Sequence, residues 1–421
     1  MAPIRALLER LGSPERGLRV LHVAGSKGKG SVALLAESLL RAAGQRVATF
    51  TSPHLERWTE RFRVDGAEVE PEALAAALRE LRPHVDALRA AGGERVPSFF
   101  DATTAAALCL FRDAQVDAAV LEVGLGGRLD STNAVSPALC CITSIELEHT
   151  DRLGDTLAAI AAEKAGILKP GVPAVCGALA SEAAAVVEAR ARELGCALAR
   201  VGQEITWRAA PARDGDGQLL TLDDAGRRLQ LELPLAGRHQ AANAALALAA
   251  ARRWLPPGFE AQRFERVARA GLAGAVLPGR VEILSRNPWW VVDSAHTAAS
   301  AHALAEVLRS LDRPVDFVLS VSAGKALAAI LTELLPLARS LTFTRAEPSR
   351  SLAPEEIAAA TRALAPQLPQ RVVPNPHLAL RAAREALAPD GVLCATGSVY
   401  LAGIARRVLG GPAGPVAVTR S

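Results

Sequence analysis

Arg19-Val20-Leu21-His22-Val23-Ala24, running into Gly25-Ser26-Lys27-Gly28-Lys29-Gly30-Ser31, reads as a buried strand, a glycine-rich loop and a helix that opens near Ser31. Glycines let successive backbone N–H groups converge on an anion, the helix start adds the positive end of its dipole, and Lys29 is placed to reach the outer phosphates of a nucleotide. The spacing is a variant of G-x-x-x-x-G-K-[ST]. Counting back from Gly28-Lys29, the first glycine position is Val23, and Gly30 stands where the hydroxyl belongs, with Ser31 one place late. A glycine-rich turn between strand and helix also occurs as plain architecture; two lysines inside this one weigh toward phosphate.

The chain has 421 residues, more than one hydrophobic core usually organises, so two unequal domains are expected, 1–275 and 276–421. Half of the residues are apolar, but no run is long and uncharged enough for a membrane span, and Met1-Ala-Pro-Ile-Arg5 lacks a signal pattern, so a cytoplasmic protein without membrane partners is expected. Six scattered cysteines with no C-x-x-C pair point to reduced core thiols, with neither zinc nor disulfides. A net charge of +4 and aromatics that are not interleaved with a basic stripe argue against nucleic acid. The basic residues carry a sharper signal. Of 48, only Lys27, Lys29, Lys164, Lys169 and Lys325 are lysine, so arginine serves the generic surface and lysine marks places that need a primary amine.

From residue 19 onward apolar strands alternate with amphipathic helices, the pattern of a mostly parallel α/β sheet covered on both faces. Residues 203–233 break it: alternating runs around Asp214-Gly215-Asp216-Gly217 and Asp223-Asp224-Ala225-Gly226 predict antiparallel hairpins, a small side sheet. A boundary is expected within 271–280, followed by a second, smaller βα series. Its expected elements include a helix over 326–339 and a strand over 341–344.

Ligands of open α/β sheets sit at the carboxyl ends of the strands. Four such ends carry polar residues here: the phosphate loop; Ser52-Pro53-His54; Glu122-Val123-Gly124-Leu125-Gly126-Gly127; and Glu148-His149-Thr150. A hydroxyl, a carboxylate and an imidazole beside phosphates suit a hard cation such as Mg²⁺. Singly each has a bland alternative, a helix cap for Ser52 or a core or surface histidine for His149. Lys164 closes an apolar helix, where a cation simply facing the helix dipole is the plain alternative.

Taken together, Val23-Ala24-Gly25 with Gly28-Lys29-Gly30-Ser31, Thr51-Ser52-Pro53-His54-Leu55 with Glu60-Arg61, the run Leu121–Asp130 continued by Ser131-Thr132-Asn133, Glu163-Lys164-Ala165-Gly166-Ile167, and Gly237-Arg238-His239-Gln240 resemble the folylpolyglutamate synthase/dihydrofolate synthase family of the Mur-ligase superfamily. The resemblance spans nearly the whole chain, and Leu121–Asp130 is its most specific part. It implies a P-loop-type, mostly parallel ATPase domain with an antiparallel side sheet and a C-terminal Rossmann-like α/β domain. The reaction it implies is ATP-dependent amide formation. The carboxylate of dihydropteroate or a folate is phosphorylated, and the amine of L-glutamate attacks the acyl phosphate. Two Mg²⁺ sites are implied, with Ser52, Glu122 and His149 as ligands and a carbamylated Lys164. Lys29 and His296 are implied at the reaction centre, and Gly28, Gly30, Ser31, Asn243, Arg280 and Asp293 at ATP. The pterin would meet Ser98, Phe99, Phe100, Asp101, Leu129, Asp130 and Ser131, although two adjacent phenylalanines are more often core aromatics than a shelf. The resemblance also implies domain closure over ATP and a monomer.

Three places depart from the family's usual text. Ser26-Lys27 replaces Thr-Asn, with no loss expected because the backbone binds phosphate. Thr297 in Asp293-Ser294-Ala295-His296-Thr297 replaces Asn, and Lys325 lacks its usual preceding acid; both bear on amino-acid specificity. A Mur-type ligase for another carboxylate and amine, or a nucleotide-binding protein without catalysis, are the competing readings.

Overall fold

In a computed structural model, which describes residues 1–212 and 217–410, the chain divides into two units, Met1–Val276 and Leu277–Ser421. The first unit is built on eight strands: β1 (Val20–Ala24), β2 (Val47–Phe50), β3 (Phe62–Val64), β4 (Ala67–Glu68), β5 (Ala118–Glu122), β6 (Leu139–Ile142), β7 (Ala174–Cys176) and β8 (Leu198–Arg200). Their order is β4-β3-β2-β5-β1-β6-β7-β8; β2 pairs with β3, and β3 with β4, antiparallel, and the others run parallel. The central strands β1, β2, β5 and β6 are buried at every position, as a parallel sheet covered on both faces requires. Two apolar clusters result. One gathers Phe50, Phe62 and Phe111 with Leu74, Leu81 and Leu108; the other gathers Ile142, Ile160, Ile167 and Val187.

Because β2, β5, β1 and β6 are neighbours and parallel, all four polar strand ends emerge along one edge. Val23 pairs with Glu122 on one side and with Cys141 on the other, so the phosphate loop leaves the sheet between the Glu122 segment and residues 143–149. The helix after the loop is Lys29–Ala42, two residues earlier than expected: Gly28, at φ 79°, takes the left-handed N-cap conformation and brings Lys29 into the first turn. This helix packs against Arg238–Trp254 and Ala261–Ala273. Three antiparallel strands, β9 (Ile205–Pro211), β10 (Gln218–Asp224) and β11 (Arg227–Leu233), form the side sheet. Of its two expected turns, Asp223–Gly226 joins β10 to β11, whereas Asp214-Gly215-Asp216 lies outside the described residues.

The second unit holds β12 (Glu282–Arg286), β13 (Trp289–Val292), β14 (Val315–Leu319), β15 (Ala338–Phe343), β16 (Gln370–Val372) and β17 (Val392–Thr396) in the order β12-β13-β17-β14-β15-β16, with only β12 antiparallel. The helix expected over 326–339 is shorter, Leu327–Leu334. Pro336 cannot continue it, a 3₁₀ turn Leu335–Leu337 follows, and β15 begins at Ala338. Among the described residues no helix is long and apolar enough to cross a membrane.

Candidate active site

The phosphate loop is tied to the segment after β6. Ser26 N–H donates to Ser144 O at 2.7 Å, Lys27 N–H to Ser144 Oγ at 2.9 Å, and Glu146 N–H to Ser26 Oγ at 2.9 Å. The loop is thereby preset, while the first amides of the Lys29–Ala42 helix have no carbonyl one turn back and point outward. A Cβ on Gly28 would collide with the Asn243 side-chain amide and would also have to live at positive φ; only glycine meets both conditions. Asn243 is itself held in place, its Nδ2 donating to Gln240 Oε1 at 3.0 Å.

Three of the five lysines meet at this loop. Lys29 Nζ donates to Gly25 O (2.9 Å) and Ser26 O (3.2 Å), and Lys164 Nζ to the same Gly25 O (2.8 Å). Glu148 bridges the cations, with Oε1 3.1 Å from Lys164 Nζ and Oε2 3.2 Å from Lys27 Nζ. Lys164 is only 1% exposed, and burial, reinforced by Lys29 and opposed by Glu148, pushes its ammonium down to about 8. Burial acts to raise the Glu148 carboxyl, but the three lysines outweigh it and hold it below the ordinary range. Three cations around one carboxylate leave an electropositive mouth ready for a polyanion.

Beside it, Glu122 Oε2 accepts the Ser52 N–H at 2.9 Å, and the Glu122 carboxylate lies 3.4 Å from where a Cβ on Gly30 would stand. Ser31 is buried in the same first helical turn. The loop after Ser52 is held by Glu60, whose carboxylate accepts from Leu55 N, Glu56 N and Arg57 N at 2.7–3.0 Å, and by Arg61 Nε, which donates to His54 Nδ1 at 2.9 Å. His149 is exposed and opens the short Thr150–Leu153 helix after β6. Among the described residues no three His, Cys, Asp or Glu side chains converge. Any cation here would therefore complete its shell with water and phosphate oxygens, as Mg²⁺ does.

The segment after Glu122 is locked from several sides. A Cβ on Gly127 would stand 2.8 Å from Glu163 O and 3.0 Å from Lys164 O, so this glycine lets the loop lie directly on the helix that carries Lys164. Lys169 Nζ donates to Asn133 Oδ1 at 2.7 Å, Asn133 Nδ2 donates to Arg128 O and Gly166 O, and Arg128 pairs with Glu163. Asp130 accepts from Leu125 N, Thr132 N and Thr132 Oγ1, and Thr132 Oγ1 also meets His22 Nε2 at 2.8 Å. Burial raises the Asp130 carboxyl, with those donors opposing. Ser131 Oγ donates to Asp101 Oδ1 at 2.8 Å, and Asp101 with Ser98 forms the capping box of the Phe99–Asp113 helix.

The two phenylalanines do not share one fate. Phe100 packs on Phe50 (centroids 6.0 Å) and under Gly124, but Phe99, which the resemblance assigns to the pterin and whose plain alternative is the core, is 64% exposed and stacks on Trp58 at 5.6 Å. Leu129, 60% exposed, adds a second uncovered apolar side chain. Sequence reasoning missed Trp58, whose role shows only once the chain brings residues 41 positions apart into a stack.

His22 is fully buried, and burial, with Lys169 adding, pushes its imidazole down from 6.5 to about 3. The folded protein refuses a proton that the unfolded chain accepts, so stability present above pH 6.5 is lost as pH falls toward 3. We expect urea unfolding to show a loss of about 1.4 kcal/mol per pH unit over that window from this residue, removed in His22→Gln. An unchanged slope in the variant would contradict the assignment.

In the second unit, Asp293 is buried, accepts Val281 N–H (2.8 Å) and Ala295 N–H (2.7 Å), and is pushed up by burial. Arg280 hydrogen-bonds Ser294 Oγ, and His296 Nδ1 lies 2.8 Å from Ser294 O. Thr297, flagged for amino-acid specificity, caps the Ala298–Ser310 helix through Ser300, a local duty that accounts for its hydroxyl. Lys325 is half-buried after the Gly324 turn.

The Mur ligase middle domain matches residues 23–251, and the Mur ligase glutamate ligase domain matches residues 279–399. The dihydrofolate synthase/folylpolyglutamate synthase of Mycobacterium tuberculosis is 37% identical over 375 residues, 85% of this chain and 76% of the relative. The folylpolyglutamate synthase of Lacticaseibacillus casei is 34% identical over 420 residues, 96% and 93% of the two chains. Among solved structures, Mycobacterium tuberculosis folylpolyglutamate synthase complexed with ADP superposes with a TM-score of 0.90 at 35% identity, covering 98% of this chain and 94% of the other. Escherichia coli FolC in complex with DHPP and ADP superposes at 0.85, with 32% identity and coverage of 97% and 92%.

Proposed function

Since the chain belongs to the folylpolyglutamate synthase/dihydrofolate synthase family of Mur ligases, we propose that it joins L-glutamate to the carboxylate of dihydropteroate, of folates, or of both. It is an ATP-dependent carbon–nitrogen ligase. The observation that carries the finer reading is the meeting of Lys27, Lys29 and Lys164 at the Gly25–Ser31 loop, with the Glu122 carboxylate beside it.

In this reading the loop amides from Gly28 to Ser31 hold the β- and γ-phosphates, and Lys29 leaves its two backbone carbonyls for the γ-phosphate. A carboxylate oxygen of the acid attacks the γ-phosphorus, ADP leaves, and the amine of glutamate then attacks the acyl carbon and expels phosphate. Phosphoryl transfer spreads charge over equatorial oxygens, which preset N–H groups and ammonium groups stabilise without reorganising. Ser52 and Glu122 would supply the hard oxygen donors that Mg²⁺ prefers, with His149 in the segment after β6; when bound, the metal would polarise the phosphate oxygens. Lys164 is the proposed carbamate. Its lowered ammonium leaves a usable share of free amine to add CO₂ with loss of a proton, and Lys27 and Lys29 are at hand to balance the resulting anion beside Glu148, where it would serve a second Mg²⁺. Asn243, Arg280 and Asp293 are proposed ATP contacts and His296 a reaction-centre group. Phe99, Leu129 and Ser98, the uncovered members of the set around Asp101, Asp130 and Ser131, are proposed to receive the pterin acid, with Phe100 backing them.

The mass of the product separates the substrate options. Incubated with ATP, glutamate and dihydropteroate, the protein is expected to yield dihydrofolate, one glutamate heavier than the acid supplied; with a reduced folate, further glutamate additions mark tail extension. No glutamate-dependent product from either acid would overturn the reading. Six free cysteines, five of them buried, suit the reducing cytoplasm proposed as its location, and a monomer is the proposed state, checked by light scattering.

A further inference from the structure

His22 is an odd resident of β1. Its strand neighbours Val20, Leu21, Val23 and Ala24 are all apolar and buried, and an imidazole fully withdrawn from water costs stability unless its nitrogens are used. Its Nδ1 has no partner among the described residues, and its Nε2 lies 2.8 Å from Thr132 Oγ1, a residue 110 positions away.

That hydroxyl settles the proton. Thr132 Oγ1 is 2.6 Å from Asp130 Oδ1, and a carboxylate only accepts, so the single hydroxyl proton is spent there. The remaining lone pairs of Thr132 can only accept. His22 must therefore carry its proton on Nε2 and leave Nδ1 bare, which also avoids burying an unpaired N–H. Deep burial keeps the ring neutral, so this single tautomer persists through the working pH range. A one-way chain results, from His22 Nε2–H to Thr132 Oγ1–H to Asp130. Asp130 also gathers Leu125 N at 2.9 Å and Thr132 N at 3.0 Å, closing the turn over Leu125–Thr132. The turn displays Leu129, and through Ser131 Oγ and Asp101 it is joined to the cap of the helix that displays Phe99.

The geometry points to His22 as a positioning residue for the acid substrate: from beneath the sheet edge, its Nε2–H orients Thr132 and Asp130 and so fixes the turn that presents Leu129. An apolar residue at position 22 would pack as well but would leave Thr132 Oγ1 without its donor, so that Asp130 alone would hold the hydroxyl and the turn would loosen. The inference rests on the reading that Leu129–Ser131 receives the pterin acid.

The test combines three variants with one spectroscopic measurement on the unaltered chain. His22→Leu removes the donor, and His22→Gln keeps an N–H near the Nε2 position. Steady-state kinetics with dihydropteroate, ATP and glutamate should show the KM for dihydropteroate raised about tenfold in His22→Leu, the KM for ATP within about twofold, and His22→Gln within about threefold of the parent throughout. An unchanged dihydropteroate KM in His22→Leu, an ATP KM that rises equally, or no rescue by glutamine would overturn the inference. Leu129→Ala separates it from the reading beneath it. If Leu129→Ala raises the dihydropteroate KM and His22→Leu does not, only the role of His22 fails; if Leu129→Ala leaves it unchanged, the acid site itself is misplaced and the inference falls with it. Nitrogen-15 NMR of the histidine-labelled protein should report His22 as the neutral Nε2–H form, and a proton on Nδ1 would overturn the proposal even where His22→Leu does not fold.

Discussion

Replacing Lys164 with arginine is expected to lower turnover about a thousandfold, the scale on which losing a group that meets charge in the transition state is felt. Charge is not what the substitution removes. An arginine would still face Glu148 and the Gly25 carbonyl, but a guanidinium has no free amine to add CO₂, so the anion proposed at this position never forms. The KM for ATP should change far less than kcat, because the loop amides and Lys29 remain. Since Lys164 is 1% exposed, a larger side chain also strains its surroundings, and Lys164→Ala provides the independent check. That variant should recover part of its activity when short carboxylic acids such as acetate are added, and not when amines are. Near-parental turnover in Lys164→Arg, or rescue of Lys164→Ala by amines alone, would refute the carbamate.

Lys29→Met is expected to cost a similar factor in kcat for a different reason. Lys29 holds only Gly25 O and Ser26 O, two carbonyls of its own loop, so the fold loses little when the ammonium goes. What is lost is the cation that follows the γ-phosphate as charge builds on it. Thermal unfolding should therefore shift by no more than about 2 °C while phosphate release becomes almost undetectable. A large loss of stability with modest loss of turnover would recast Lys29 as a structural residue.

The elements that sequence patterning found were those whose burial is complete. Short, fully buried and mostly apolar runs at β1, β2, β5 and β17 read as central strands, and the polar residues that follow β1, β2 and β5 lie along one sheet edge. Short edge strands gave no such signal: β8 and β16 are three residues each and none of their positions is buried, so only pairing with β7 and β15 defines them. The helix beginning at Lys29 was set two residues late because the left-handed turn at Gly28 is a backbone event that a composition of glycines and lysines does not reveal. Lysine scarcity was the most productive clue, since it marked Lys27, Lys29 and Lys164 before any geometry was known. It could not reveal that Glu148 joins two of them, because Lys27 and Glu148 are 121 residues apart and acquire each other only through the β1–β6 pairing. Ser26-Lys27, expected to be a neutral departure, thus contributes an ion pair at the mouth of the loop.

The central claim is that the acid is activated by becoming an acyl phosphate. Dihydropteroate carrying ¹⁸O in its carboxylate tests it directly. If a carboxylate oxygen attacks the γ-phosphorus and glutamate then displaces phosphate, one labelled oxygen leaves with each phosphate for every amide formed, and label in phosphate tracks product one to one. Phosphate released without label while amide accumulates would mean that ATP is spent on another atom, and the account would be wrong.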